Sequence, residues 1–339
     1  MLPPNKAPEP AAGFQEVINE RNSLLASVAE TAPHTFDSSD SHWFCNSPGR
    51  GMIVPEKNFP SIPIAPNSIQ KGAPLKHVLG AEAIGCLAKN ILLVYPQFDA
   101  ETFCETASDG LESLGILERG QHLARALRQC LPGKFSTAIE ILLASLTPPL
   151  TRTDDIGLAV FFYLPHVCFV AEYGLEPDEN GGRDPFEVSM RAQYELTKRF
   201  SAEFSIRPFL IRQQERTLSR LLEWTSDPDP HVRRLCSEGT RPRLPWATRI
   251  PAFVSNPEPV LPILDALKND QSLYVRRSVA NHLGDIAKDH PELVFKICEC
   301  WLAESSNEIK WLIRHALRHP AKKGDKTALQ LRAAAKAQK

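Results

Sequence analysis

The chain has 339 residues, 42% hydrophobic and 23% charged, the balance of a soluble globular protein long enough to bury a core. Its net charge of -1 hides an asymmetry: residues 221–339 carry 19 Lys and Arg against 14 Asp and Glu, while residues 1–220 carry 20 against 26. A local basic surplus is what a polyanion senses, and no apolar run approaches the ~18 residues of a membrane span, so membrane-spanning functions are excluded.

Residues 1–73 hold ten of the 29 prolines, in stretches such as "NFPSIPIAPNS", and predict a mostly disordered extension with one helical piece near 14–30. From Leu75 onward, "EAIGCLAKNILLVYP", "AETFCETASDGLESLG", "RGQHLARALRQCL" and "FSTAIEILLASL" place apolar residues at three- and four-residue spacing, which predicts helices. Pro149, Pro177, Pro185 and Pro208 punctuate the helical runs, and "LEPDENGGRDP" (175–185) reads as an exposed loop. Further on, "DPHVRRLCSEG", "SLYVRRSVANHLGDI" and "NEIKWLIRHALRH" align with Val232, Val275 and Ile309 in register, at spacings of 43 and 34 residues. Such periods suit a paired-helix solenoid. The expected fold is therefore an all-α curved α-solenoid of HEAT-like repeats with a basic concave face over residues 74–320, followed by a flexible Lys- and Ala-rich tail over 321–339. Eight cysteines without CxxC spacing predict reduced thiols in a cytoplasmic protein, and no metal site or cofactor is expected. His231, His282 and His290 read as turn or core residues.

Placing Val275, Val279, Leu283 and Ile286 toward the core sets Arg277, Asn281 and Asp285 in one row beside it. The repeat register gives the same row to Arg234 and Glu238 in the preceding helix and to Trp311, His315 and His319 in the following one. Upstream, "YELTKRFSAEFSIRP" offers Arg199, Glu203 and Arg207. An acid four residues from its arginine is ordinarily a surface pair worth only ~0.3–0.5 kcal/mol. Three helices with the same arrangement weaken that reading, because a surface built only to hold phosphates gains nothing from carboxylates. Acids kept among arginines instead suggest that a positive centre arises there. Trp246 follows a proline and reads either as a stacking surface for a sugar or base or as a lid over the helix ends.

The segments "QYELTKRFSAEFSIRPF" (193–209), "PHVRRLCSEGTRPRLPW" (230–246) and "YVRRSVANHLGDIAKDHP" (274–291) resemble the AlkC branch of the DNA alkylation repair glycosylases. The resemblance covers about residues 74–320. It implies a HEAT-like-repeat protein that grips alkylated double-stranded DNA and cuts the N-glycosidic bond of cationic N-methylated bases; a monomer is expected. The expected substrate is chiefly 3-methyladenine, with 3-methylcytosine a further candidate. Position by position, Glu203, Glu238 and Asp285 match the family's active-site acids, Trp246 its aromatic, and Arg241 and Arg243 its backbone-contacting basic stretch. Arg234, Arg277, Arg199 and Arg207 join them as DNA-binding candidates, with Arg234 and Arg277 either touching phosphate or bracing the acids. Asp285 and Glu238 are expected to stabilise the sugar cation and activate water, with Glu203 in support. The resemblance further implies that the damaged nucleotide stays stacked while the protein approaches from the backbone. A HEAT-repeat scaffold and a non-catalytic DNA-binding protein are the competing classes.

Overall fold

The computed structural model describes residues 58–63, 74–154, 156–304 and 306–336. Nearly all of the expected proline-rich extension, including the helical piece near 14–30, lies outside the described residues. Within 59–63, Pro63 is buried and the Ser61 carbonyl accepts a hydrogen bond from Cys86 Sγ at 3.4 Å.

The described residues hold sixteen α-helices and no strand. The first four, α1 (Ala81–Leu92), α2 (Ala100–Ser108), α3 (Ile116–Cys130) and α4 (Phe135–Ala144), coincide with the four periodic runs. Asp99 caps α2 by accepting from the Thr102 amide at 3.0 Å, which meets one of the donors that a helix start leaves open. Helix α5 (Leu164–Tyr173) packs extensively on α3 and carries Pro165 in its first turn, where no amide is needed.

The row Arg199, Glu203 and Arg207 does not lie along one helix. Helix α6 (Phe186–Thr197) ends before Arg199, and α7 (Ile206–Arg212) begins after Glu203. A continuous helix would drive the Pro208 ring into the carbonyl of Phe204, whereas Pro208 fits the first turn of a new one. Glu203 therefore sits in the intervening turn, its amide donating to Ser201 Oγ at 3.4 Å.

The repeat is present as expected. Outer helices α8 (Gln214–Trp224), α11 (Leu261–Leu267) and α13 (Pro291–Leu302) alternate with inner helices α9 (Pro230–Gly239), α12 (Leu273–Ile286) and α14 (Asn307–Ala316), with the short α10 (Pro251–Ser255) after α9. Val232, Val275 and Ile309 are each fully buried, as are Val279 and Leu283. Each such side chain contributes roughly 1.5–3 kcal/mol on leaving water. Helix α12 lies between α9 and α14 and packs on both, so the inner helices form one continuous layer. Two glycines permit close packing here, one of α9 on α7 and one of α12 on α14. A Cβ on Gly239 would fall 2.6 Å from Ile206 Cγ2, and one on Gly284 would fall 3.3 Å from the Ala316 carbonyl oxygen.

The Lys- and Ala-rich tail is not the flexible appendage that its composition predicts. After α15 (Arg318–Lys322), Asp325 accepts from the Ala328 amide at 2.8 Å and starts α16 (Lys326–Ala334), which docks on α13 and α14. Ala328, Leu331 and Ala335 fall on one helical face and are buried, and Arg314 binds the Ala335 carbonyl. The seven described cysteines are free thiols, and no described helix is long and apolar enough to cross a membrane.

Candidate active site

The three acids singled out in the sequence arrive from three separate elements. Glu203 comes from the turn between α6 and α7, and Glu238 and Asp285 from the last turns of α9 and α12. A helix C-terminus disfavours a carboxylate by ~0.3–1 kcal/mol, so these positions need local compensation. Two arginines supply it by linking the acids into one alternating chain. Arg234 Nη1 lies 3.1 Å from Glu203 Oε2 and its Nη2 lies 3.6 Å from Glu238 Oε2. Arg241 Nη1 then meets Glu238 Oε1 at 2.5 Å, and its Nε meets Asp285 Oδ2 at 2.7 Å. The chain ends on Lys288, whose Nζ is 2.7 Å from Asp285 Oδ1.

The oxygens are not equally free. Glu238 has both engaged, Oε1 by Arg241 and Oε2 by the Ser278 hydroxyl at 2.6 Å as well as by Arg234. Asp285 has its inner oxygen on Arg241 and its outer one under Lys288. Glu203 uses only Oε2, on Ser201 and Arg234, and Oε1 has no hydrogen-bond partner among the described residues. The side chains of Glu203, Glu238 and Asp285 are 15%, 7% and 5% exposed, so Glu203 is the most open of the three. Burial pushes the Glu238 carboxyl up, but Arg234, Arg241 and the Ser278 hydroxyl prevail and hold it below the usual glutamate range. Burial likewise opposes the Arg234 charge, and Glu238, Tyr274 and Glu203 more than offset it, raising its pKa. The Tyr274 ring lies 4.9 Å from the Arg234 guanidinium, a cation–π contact that fixes the arginine between its two acids.

The arginines expected at phosphate divide into two groups. Arg207 is fully buried and cannot reach DNA. It binds the carbonyls of Thr248, Gly239 (3.0 Å) and Arg241 (2.8 Å), with Pro242 at 3.5 Å, thereby satisfying the carbonyls that α9 and the following loop leave open. Burial pushes its pKa down to about 10, which still leaves it charged near neutrality. Arg199 is spent on the Thr147 carbonyl and on Glu195 at 2.9 Å, bracing the end of α6. Arg234 and Arg241 hold the acids. Arg243 pairs with Asp289 at 2.8 Å in a half-exposed setting, and Arg277 is exposed with no ion pair among the described residues. Of the two arginines whose role the sequence left open, Arg234 is held between Glu203 and Glu238, and Arg277 is exposed. The third row joins the second: Asn281 Oδ1 receives Arg318 Nη2 at 2.9 Å and lies 3.2 Å from His315 Nε2, while Trp311 stacks on His315.

Trp246 is the only described non-glycine residue with positive φ, at 65°. A bulky side chain in that region costs ~1–3 kcal/mol, and here the strain presents the ring to solvent at 56% exposure. The loop that carries it is the one clamped by Arg207. Trp246 lines a cleft of about 530 Å³ together with Arg243, Arg249 and Lys288, and it also borders a second cavity of about 400 Å³ walled by Leu164, Val167 and Phe204. The cleft therefore joins an exposed indole to three cations, one of them the lysine that covers Asp285.

No protein-family model matches the sequence. Over 260 residues, 76% of this chain and 68% of the relative, it is 39% identical to the uncharacterized protein YhaZ of Bacillus subtilis strain 168. It is also 40% identical to the Pseudomonas fluorescens alkylpurine DNA glycosylase AlkC, solved bound to DNA containing an abasic site analog. That match has a TM-score of 0.67 and covers 78% of this chain and 68% of the solved one. The chain belongs to the AlkC family.

Within this AlkC-family chain, the sequence reading missed Ser278, Tyr274, Lys288, Arg249 and Arg318. Lys288 carried a local signal, standing three residues beyond Asp285, and Arg249 stands three beyond Trp246. Ser278 and Tyr274 carried none, because their contacts to Glu238 and Arg234 cross from α12 to α9. Among the described residues no group of three or more His, Cys, Asp or Glu side chains is placed to hold a metal ion. His231, His282 and His290 each meet a backbone carbonyl, of Arg152, Ser237 and Val254, as core and turn residues do.

Proposed function

We propose that the chain is a hydrolase of N-glycosyl bonds that excises cationic N-alkylated bases, 3-methyladenine foremost, from double-stranded DNA. Membership of the AlkC family supports this reading, and the observation that carries it is the acid–arginine chain beside an exposed, strained tryptophan. Alkylation at N3 makes the base a cation and a good leaving group. The C1′–N bond breaks with its electron pair moving to the base, which departs neutral, and the deoxyribose becomes oxocarbenium-like. Carboxylates already fixed in place need no rearrangement to stabilise that charge. Water then adds to C1′ and loses its proton to a carboxylate, leaving an abasic site.

The bonding of the oxygens redistributes the roles expected from sequence. Glu238 has no oxygen to spare and serves as the clamp that sets Arg234 and Arg241. Glu203, through its unpartnered Oε1, and Asp285, through Oδ1, are the acids that face the sugar. Trp246 packs against that sugar across the cleft, and Arg277, Arg249 and Arg243 take flanking phosphates. Selectivity then follows the lesion's charge and bond lability rather than the shape of an extrusion pocket.

Purified protein incubated with methylated duplex should liberate 3-methyladenine and leave a neutral oxidised purine in place. Comparable release of both would refute the charge-based selectivity. Asp285→Asn and Glu203→Gln should each slow base release by about 10²-fold while duplex binding, with its steep salt dependence, persists. A scaffold would release nothing and bind duplex without that slope.

A further inference from the structure

The outward oxygen of Asp285 is the one place in the site where a catalytic atom and a mobile cation compete. Arg241 holds Oδ2 from the buried side at 2.7 Å, so the carboxylate stays in place whatever happens at Oδ1. Lys288 covers Oδ1 at 2.7 Å, yet its own side chain is 52% exposed against 5% for Asp285. An ion pair with one open partner is weak, and the four-carbon lysine stem leaves the ammonium free to swing. The same ammonium lines the cleft shared by Trp246, Arg243 and Arg249, where a duplex backbone would enter on the reading proposed above. Asp285 cannot present Oδ1 to a sugar while Lys288 occupies it.

We propose that Lys288 is a phosphate-operated latch on Asp285. In the free protein the ammonium neutralises Oδ1 and keeps the carboxylate from repelling incoming DNA. A backbone phosphate in the Trp246 cleft draws the ammonium away and exposes the carboxylate only when a nucleotide is beside it. Arg241 is the fixed counterion of Asp285 and Lys288 the exchangeable one. Lys288 is thus a positioning residue that acts on catalysis through Asp285. The inference rests on the glycosylase reading for its catalytic half and on electrostatics alone for its binding half.

The test compares full-length wild type, Lys288→Gln and Lys288→Arg. Binding to a duplex with an abasic-site analogue is measured across a salt series, and base release from methylated duplex under single turnover with enzyme in excess. The latch predicts that Lys288→Gln lowers the magnitude of the salt slope by about 1, weakens binding equally on damaged and undamaged duplex, and places its loss in Kd rather than in the rate constant. Lys288→Arg restores the slope. If the salt slopes of wild type and Lys288→Gln coincide, or if the glutamine variant releases base tenfold faster, Lys288 stays on Asp285 in the complex and the latch is wrong. Should wild type release no base while the slopes still differ, the glycosylase reading falls and the phosphate exchange stands. Base release with equal slopes removes the latch alone.

Discussion

Arg241 is the link whose removal should be felt most widely. Its guanidinium joins Glu238 at 2.5 Å to Asp285 at 2.7 Å, and all three side chains are nearly buried. Arg241→Met keeps much of the volume and leaves two buried carboxylates short of a counterion. Breaking one buried pair in this way costs ~3–5 kcal/mol. Glu238 keeps Ser278 and Arg234, and Asp285 keeps Lys288, which places the loss near the lower end, about 3 kcal/mol. That is a fall of roughly 10²-fold in the folded-to-unfolded ratio, readable as a lowered urea midpoint at unchanged slope. The pH dependence has a definite sign. Glu238 is held below its ordinary value of 4.5 in the folded protein, so its contribution is complete above that value and is lost as pH falls through the depressed one. The deficit of Arg241→Met should therefore be large at pH 7 and shrink below about pH 4.5. Arg241→Lys, which restores the charge but cannot span both acids, should recover only part of the loss. A deficit under about 1 kcal/mol at pH 7, or one independent of pH, would refute a buried, mutually dependent chain.

Two further substitutions separate structural from DNA-facing roles. Arg207→Met should lower stability by roughly 2–4 kcal/mol, because it strands buried carbonyls of Gly239 and Arg241, and should leave the salt slope of DNA binding unaltered. A slope reduced by one phosphate contact would instead place Arg207 at the backbone. At position 246, where φ is 65°, glycine should be more stable than alanine by about 1 kcal/mol, the reverse of the usual order, with base release lowered in both variants. Thermal or urea unfolding of the pair decides it, and a more stable alanine variant would mean that the loop relaxes and stores no strain.

The helices and the repeat were readable from the chain alone. Val232, Val275 and Ile309 could be aligned because a helix that must bury one face repeats its apolar residues along the chain, a signal local to each segment. The sequence also named Glu203, Glu238, Asp285 and Trp246 from three long segments. Which partner each side chain meets became visible only in three dimensions. Arg199, Glu203 and Arg207 share a spacing that a single helix would set in a row, but Pro208 breaks that helix and sends Arg207 into the interior. Composition reads the last nineteen residues as a tail, while the Asp325 cap and a three-residue apolar face dock residues 326–335 on α13 and α14. The contacts that tie the acids' elements together, Arg234–Glu203, Ser278–Glu238 and Arg241–Asp285, lie 31, 40 and 44 residues apart, and spacing within one helix carries no information about which neighbour stands on the next one. For that reason the acids could be listed from the chain, whereas the partners of their oxygens could not.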